Sequence, residues 1–343
     1  MRITLNSYWC AVLAGLCQCG ICMLLGYAST ISAQPTDSLA TTRKVVGQLL
    51  PHNGEVIDRV SVTNPKGACI VVRPGVANVV ISNSRIGPCG DSNVDDYGVL
   101  ILDGAKNISI VGNVIFNVST GVKAHKAHHP VIVDRNFFYG IRGPMWSGQA
   151  VQFNGVYGEG ASSRVKCNVS DAFYGTTGKS YEDHISMYDV HGTATYPVEI
   201  AGNRIRGGTS RSGGGITVGD KGGEWLLVRD NTVITVANSG IGVAGGSNIR
   251  VEYNRVDNRG ATPSSLTHMA YYVRALSMCS NVTLLGNRGI ARLWIWGETD
   301  GRTAPGYRHG PERCVRVDDK RNRFGDTSLS IDLFEQVPET CKD

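Results

Sequence analysis

ISIVGNVI, residues 108–115, holds alternating apolar residues, a Gly-Asn step and a second apolar pair. The same arrangement returns as VVISNSRI around Asn83, VIVDRNFF around Asn136, RVKCNVS around Asn168 and VEIAGNRI around Asn203. LLVRDNTV around Asn231, IRVEYNRV around Asn254 and VTLLGNRGI around Asn287 complete eight copies, 23 to 35 residues apart. Upstream of each Asn lies another short repeating strand, among them YGVLILD, TGVKAHK, QAVQFNG, DHISMYD, GGITVGD and SGIGVAG.

A unit of two or more short strands cannot bury its apolar face alone, but stacked units share a continuous core. With 43 Gly, 18% charged residues and no long amphipathic pattern, the chain reads as all-β with many tight turns. Coils of this length, with Asn at a turn where it tolerates left-handed backbone angles, predict a single-stranded right-handed parallel β-helix. Eight coils at the strand spacing make a rod about 40 Å long. The repeat spans residues 61–295, leaving an N-terminal cap at 34–60 and a C-terminal cap or tail at 296–343.

The pattern resembles the pectate-lyase-like right-handed β-helix superfamily, which includes polysaccharide lyases and periplasmic β-helix proteins. That resemblance rests on fold-level periodicity and by itself implies a fold class and not a substrate.

The first 33 residues read as a secretory signal: Arg2, an apolar run from Tyr8 to Ala28, and small residues near Ala33. An uncleaved membrane anchor is the alternative. Secretion or periplasmic location is therefore expected. Six cysteines lie beyond the signal, and Cys69–Cys89 and Cys314–Cys341 are the plausible local disulfides. A net charge of +5, spread without a Lys/Arg block, points to an acidic polysaccharide rather than nucleic acid. A monomer is expected.

Aligning the upstream strands on Val99, Val122, Val151, Ile185, Ile216 and Ile241 as inward residues sets what faces out. One position later come Leu100, Lys123, Gln152, Ser186, Thr217 and Gly242; two further on come Leu102, His125, Asn154, Tyr188, Gly219 and Ala244. His184 precedes Ile185, where other coils carry Gly or Ala. Chemistry-bearing residues thus concentrate in three adjacent coils. Bordering turns add Arg142 and Trp146, Tyr157 and Glu159, Asp189 and His191, and Asp220 with Lys221. An aromatic ring can stack on a pyranose and a guanidinium can grip a carboxylate bidentately.

This set suits β-elimination on a uronic-acid polysaccharide. Removing the proton α to the carboxylate requires that carboxylate to be neutralised, which Gln152, Asn154 and Lys123 or Arg142 can do. His184, with a near-neutral pKa, is the expected base and Tyr188 the acid, with His125 or Lys123 able to take the base role. The resemblance supports this chemistry, since some polysaccharide lyases use Asn or Gln, His and Tyr in this way. Pectate lyases proper use calcium-binding Asp clusters and an Arg base, which have no clear equivalent here.

Three other readings stay open: a non-catalytic glycan-binding β-helix protein, a C5-epimerase, or a glycoside hydrolase drawing on Asp103, Glu182, Asp183, Asp189 or Asp220. No cofactor is required. On a strand His125 and His128 face different ways, so they make a poor metal triad with His129. Asp91, Asn93 and Asp95 have calcium-loop spacing, but Asp96 and Leu102 stand where glycine and a bidentate acid belong.

Overall fold

In the computed structural model each repeat forms three short strands, so every coil presents three walls. The structure describes residues 39–342, except 145–146, 159, 175–180, 209, 211, 237, 261–268, 296–297, 305–306 and 310–313. The expected signal, Trp146 and Glu159 lie outside the described residues. The rest belong to one unit, Pro35–Asp343.

The first wall contains Tyr97–Ile101, Thr120–His125, Val151–Asn154, Ile185–His191, Ile216–Glu224 and Ser239–Val243. The second contains Lys106–Val111, His128–Asp134, Arg164–Lys166, Val198–Ala201, Leu226–Arg229 and Gly246–Glu252. The third comes after the repeated Asn, with Val114–Val118, Phe137–Ile141, Val169–Asp171, Arg204–Arg206, Thr232–Ile234 and Arg255–Asn258. Each of these strands pairs in parallel with its counterpart one coil away. Among the described strands, antiparallel pairing enters only late, between Arg288–Ile295 and Glu298–Ala304.

Period-two alternation turns Val99, Val122, Val151, Ile185, Ile216 and Ile241 inward, each at most 2% exposed. They join the inward residues of the other two walls in one core.

The corner before the third wall is a side-chain ladder. The Asn203 Oδ1 accepts from the backbone N–H and the Nδ2 of Asn168, while the Asn203 Nδ2 donates to Val165 O and to Asn231 Oδ1. The same pattern runs from Asn113 through Asn136, Asn168, Asn203, Asn231, Asn254 and Asn287 to Asn322. Two details correct the sequence reading. The left-handed residue is the one before the Asn: Gly112, Arg135, Cys167, Gly202, Asp230, Tyr253, Gly286 and Arg321 all have φ between 53° and 67°. Asn83 therefore belongs to the left-handed column, with φ 48°, and Ser84 takes the ladder position, its N–H donating to Asn113 Oδ1.

The coil stack also outruns its expected limits. Arg43–Val46 already pairs with Val60–Asn64, inside the expected N-terminal cap. Val315–Lys320 and Arg323–Phe324 add strands beyond residue 295. Only the segment after Phe324 behaves as a tail. Its 3-10 turn Ile331–Glu335 lies on the outside of the third wall, with Phe334 under the Arg204 and Arg206 guanidiniums.

Cys69 and Cys89 are bonded as expected. Cys314 and Cys341 are not a pair. Cys314 joins Cys279 on the neighbouring coil, and Cys341 reaches back to Cys167, 174 residues away. Folding the tail along the third wall carries Cys341 past the ends of several coils, so proximity in sequence is no guide.

Candidate functional site

Strand pairing places the outward residues of the first wall in two rows. The first row runs Leu100, Lys123, Gln152, Ser186, Thr217, Gly242, Tyr272. The second runs His125, Asn154, Tyr188, Asp220. Neighbours in a row are separated by about 4.8 Å and the rows by about 6.8 Å, so these side chains share one surface.

Strict alternation would set Gly219 beside Tyr188, and the structure places Asp220 there instead. Gly219 bulges out with φ 72°, and a Cβ at that position would lie 2.0 Å from Gly245 O. Asp189, with φ 55°, is likewise skipped by the pairing, so it has no counterpart in the row.

Gln152 is 9% exposed, and its Oε1 has no hydrogen-bond partner. An unpaired amide oxygen is an acceptor, so a hydroxyl or N–H donor is what would satisfy it. Beside it, Lys123 lies 5.3 Å from the Tyr97 ring centroid. Burial lowers the pKa of its ammonium, with Asp95 opposing. Burial also lowers the pKa of His125, helped by the positive charges of Lys123 and Lys126 and opposed by Asp103, so the imidazole is neutral at neutral pH. Lys221 holds its ammonium 5.5 Å from the Tyr188 ring centroid.

Three expected site residues lie elsewhere. His184 faces the interior: Nδ1 meets Ser170 Oγ at 2.7 Å, Nε2 meets Gly207 O at 3.0 Å, and the ring stacks on Tyr181. Burial drives its pKa down to about 4. The reason is steric. The residue before each inward first-wall residue sits at a corner, with its Cβ aimed at the third wall. A Cβ on Gly121 would lie 2.7 Å from Phe138, one on Gly215 2.6 Å from Val233, and one on Gly240 2.2 Å from Val256. His184 instead faces Ser170, whose neighbours in the third-wall register are the bulkier Phe138 and Ile205, and the small side chain leaves room for imidazole.

Arg142 is committed to structure. It donates to Asn117 O, Cys89 O and Asp96 Oδ2, the last at 2.7 Å. The same Asp96 carboxylate, 1% exposed, accepts from the N–H groups of Ser92 and Asn93, closing the loop with calcium-like spacing on itself. His191 is beyond the two rows, between Asp189 at 3.0 Å and Glu224 at 3.6 Å. In the segment 121–129, Lys123 and His125 reach the wall, His128 packs on Tyr157, and the buried His129 bridges Ser163 Oγ and His191 O.

One acid gains prominence. Asp183 Oδ1 accepts from the Gly214 N–H and from Thr217 Oγ, which sets the carboxyl beside the first row. Burial, together with the nearby Glu182 and Asp220, lifts its pKa to about 7. Asp220 is raised as well, by burial. Asp183 precedes its strand and shows no period-two signal, so the sequence offers it only as one of five acids, and the loop geometry sets it beside the wall.

Neither a protein-family model nor a curated protein matches the chain. Among solved structures it is similar to PfbA, a surface adhesin of Streptococcus pneumoniae, at 12% identity over 78% of this chain, with a TM-score of 0.39. It spans 62% of that adhesin's length. An alginate lyase from a Paenibacillus species is similar at 13% identity, covering 81% of this chain and all of that one, with a TM-score of 0.33. The A-module of a mannuronan C-5 epimerase from Azotobacter vinelandii is 11% identical over 80% of this chain and 88% of that one, with a TM-score of 0.28. At such identities the likeness concerns fold alone. The strand pairing by itself establishes that the chain is a parallel β-helix protein.

Proposed function

We propose that the protein is an exported polysaccharide lyase that cleaves a uronic-acid-containing polysaccharide by β-elimination. The observation that carries this reading is the register that gathers Lys123, Gln152, His125, Asn154 and Tyr188 on one wall. The three disulfides among the described residues support export, since such bonds persist in oxidising compartments.

The Lys123 ammonium and the amides of Gln152 and Asn154 hold the substrate carboxylate and stabilise the charge that develops when the α-carbon loses its proton. With His184 enclosed in the core, His125 takes the base role. Its neutral imidazole accepts the proton, the electron pair forms the new C=C bond, and the C–O bond to the 4-linked sugar breaks. Tyr188 gives its phenolic proton to the departing oxygen and is reprotonated from solvent. Screening wild-type protein on polyuronates for ultraviolet-absorbing unsaturated ends tests this directly. Loss of that signal in both His125→Ala and Tyr188→Phe is expected, and full activity in either variant rejects its assigned role.

Asp183 favours one second reading, glycoside hydrolysis, in which a carboxyl still partly protonated near neutral pH acts as acid and Asp220 as base. New reducing ends without new absorbance would select it.

A further inference from the structure

The third wall carries a basic row that the first-wall chemistry does not use. Its outward residues run Arg204, Thr232, Arg255, Arg288 and Arg323, each paired with the next coil. Arg206 and Arg259 flank the row. The acids on the wall itself, Asp171 and Asp257, are bonded to these two, and Asp326 holds Arg288. Arg255 has no ion pair among the described residues. Burial and the Arg288 charge lower its pKa, and Asp230, which opposes them, is bonded to Arg229.

The tail lies over this row as an acidic strap. Leu329 O accepts from Arg259, Phe334 O accepts from Arg204, and Glu335 pairs with Arg206 at 3.3 Å. Cys341 ties the end down to Cys167. The described charges of the strap are Asp326, Asp332, Glu335, Glu339 and Lys342, the last two paired with each other. Its fit is incomplete. Thr232 Oγ1 and Arg206 Nε are buried without hydrogen-bond partners. A cavity of about 240 Å³ lies between Phe173, Ile234 and Thr235 on one side and Ile331 and Asp332 on the other. Two buried donors and an unpaired guanidinium thus lack oxygen atoms that the tail does not supply.

In a twofold-extended glycan, the carboxylates of every second sugar share one side. Arg204 and Arg255 are two strands apart, about 9.6 Å, which is comparable to that two-sugar repeat, and Thr232 stands between them where a hydroxyl would lie.

We propose that the third wall is a second glycan site, in which a strand of acidic polysaccharide lies along the helix axis with carboxylates on Arg204 and Arg255, and that the tail is its tethered competitor. The site goes beyond the lyase reading and shares with it only the class of polymer.

Equilibrium binding of polymannuronate, dextran and a single-stranded DNA oligomer tests this. Every protein carries Lys123→Ala, so that the first wall lacks its proposed carboxylate seat. Adding Cys341→Ser and Phe334→Ala unlatches the tail. Polymannuronate should then bind at least about tenfold more tightly, with dextran unchanged and the gain shrinking as salt rises. Arg204→Ala with Arg255→Ala in the unlatched protein should abolish the gain. If circular dichroism shows the unlatched protein unfolded, Glu335→Gln in the latched protein decides, with a gain of about threefold expected. No gain in the folded variant, a gain that survives loss of both arginines, or DNA bound as tightly as polymannuronate overturns the proposal. Absence of unsaturated product from the wild type overturns the lyase reading alone.

Discussion

His184 and His125 are both histidines near the same wall, and their surroundings give them opposite duties. His184→Ala removes a buried ring that partners Ser170 and Gly207, so it should cost about 3 kcal/mol of stability, read as a lowered denaturant midpoint. Its depressed pKa also sets a pH effect. Between about 4 and 6.5 the unfolded chain binds the proton and the folded one does not, so this contribution is complete above 6.5 and drains away as pH falls towards 4. Asp183 works the other way: with its folded pKa raised to about 7 from 3.8, its contribution favours folding at low pH and is lost as pH rises through that window. Thermal melts between pH 4 and 7 should therefore show a steeper acid-side loss in Asp183→Asn than in wild type. For His125 the reporter is kinetic. Because burial lowers its pKa from 6.5, the acid-side fall of kcat/KM should have its midpoint below pH 6.5.

Among the elements, the Asn ladder and the tail tether carry the most weight. Asn203→Ala strands two donors of Asn168 and removes a donor from the Val165 carbonyl in the interior, and a loss of about 3 kcal/mol or more is expected in chemical denaturation. Asn107→Ala is the contrast. Its side chain bonds Asn78 at an exposed turn, and the change should cost about 1–2 kcal/mol, most of it from placing Ala at φ 54°. Cys341→Ser opens a loop of 174 residues, for which chain entropy allows up to about 5 kcal/mol. Limited proteolysis of that variant should release the segment after Phe324 before the coils are cut, since the ladder does not depend on the tail.

For the molecule as a whole, the coil is the unit of construction. Excising residues 232–254 removes one 23-residue repeat and rejoins Asn231 to Arg255, after which circular dichroism should still report a cooperatively folding β protein. That modularity explains what could be read from the chain. Val99, Val122 and Val151 recur with the strand period, so the wall and its Lys123–Gln152 and His125–Asn154 pairings were legible. The corner was not. Whether His184 points out or in depends on how the chain turns into the strand and on Ser170, distant by pattern though only 14 residues away. The partners of Cys341 and Cys314 depend on where the tail is laid, which no spacing encodes.

The bulge at Gly219 has a broader implication. It lets the chain spend an extra residue on the outer surface while Val218 keeps its place beneath Met187. Such a slip exchanges the group facing Tyr188, a hydrogen for a carboxylate, with no change to the packed interior. A scaffold of this kind can acquire new chemistry through single insertions, leaving its folding undisturbed.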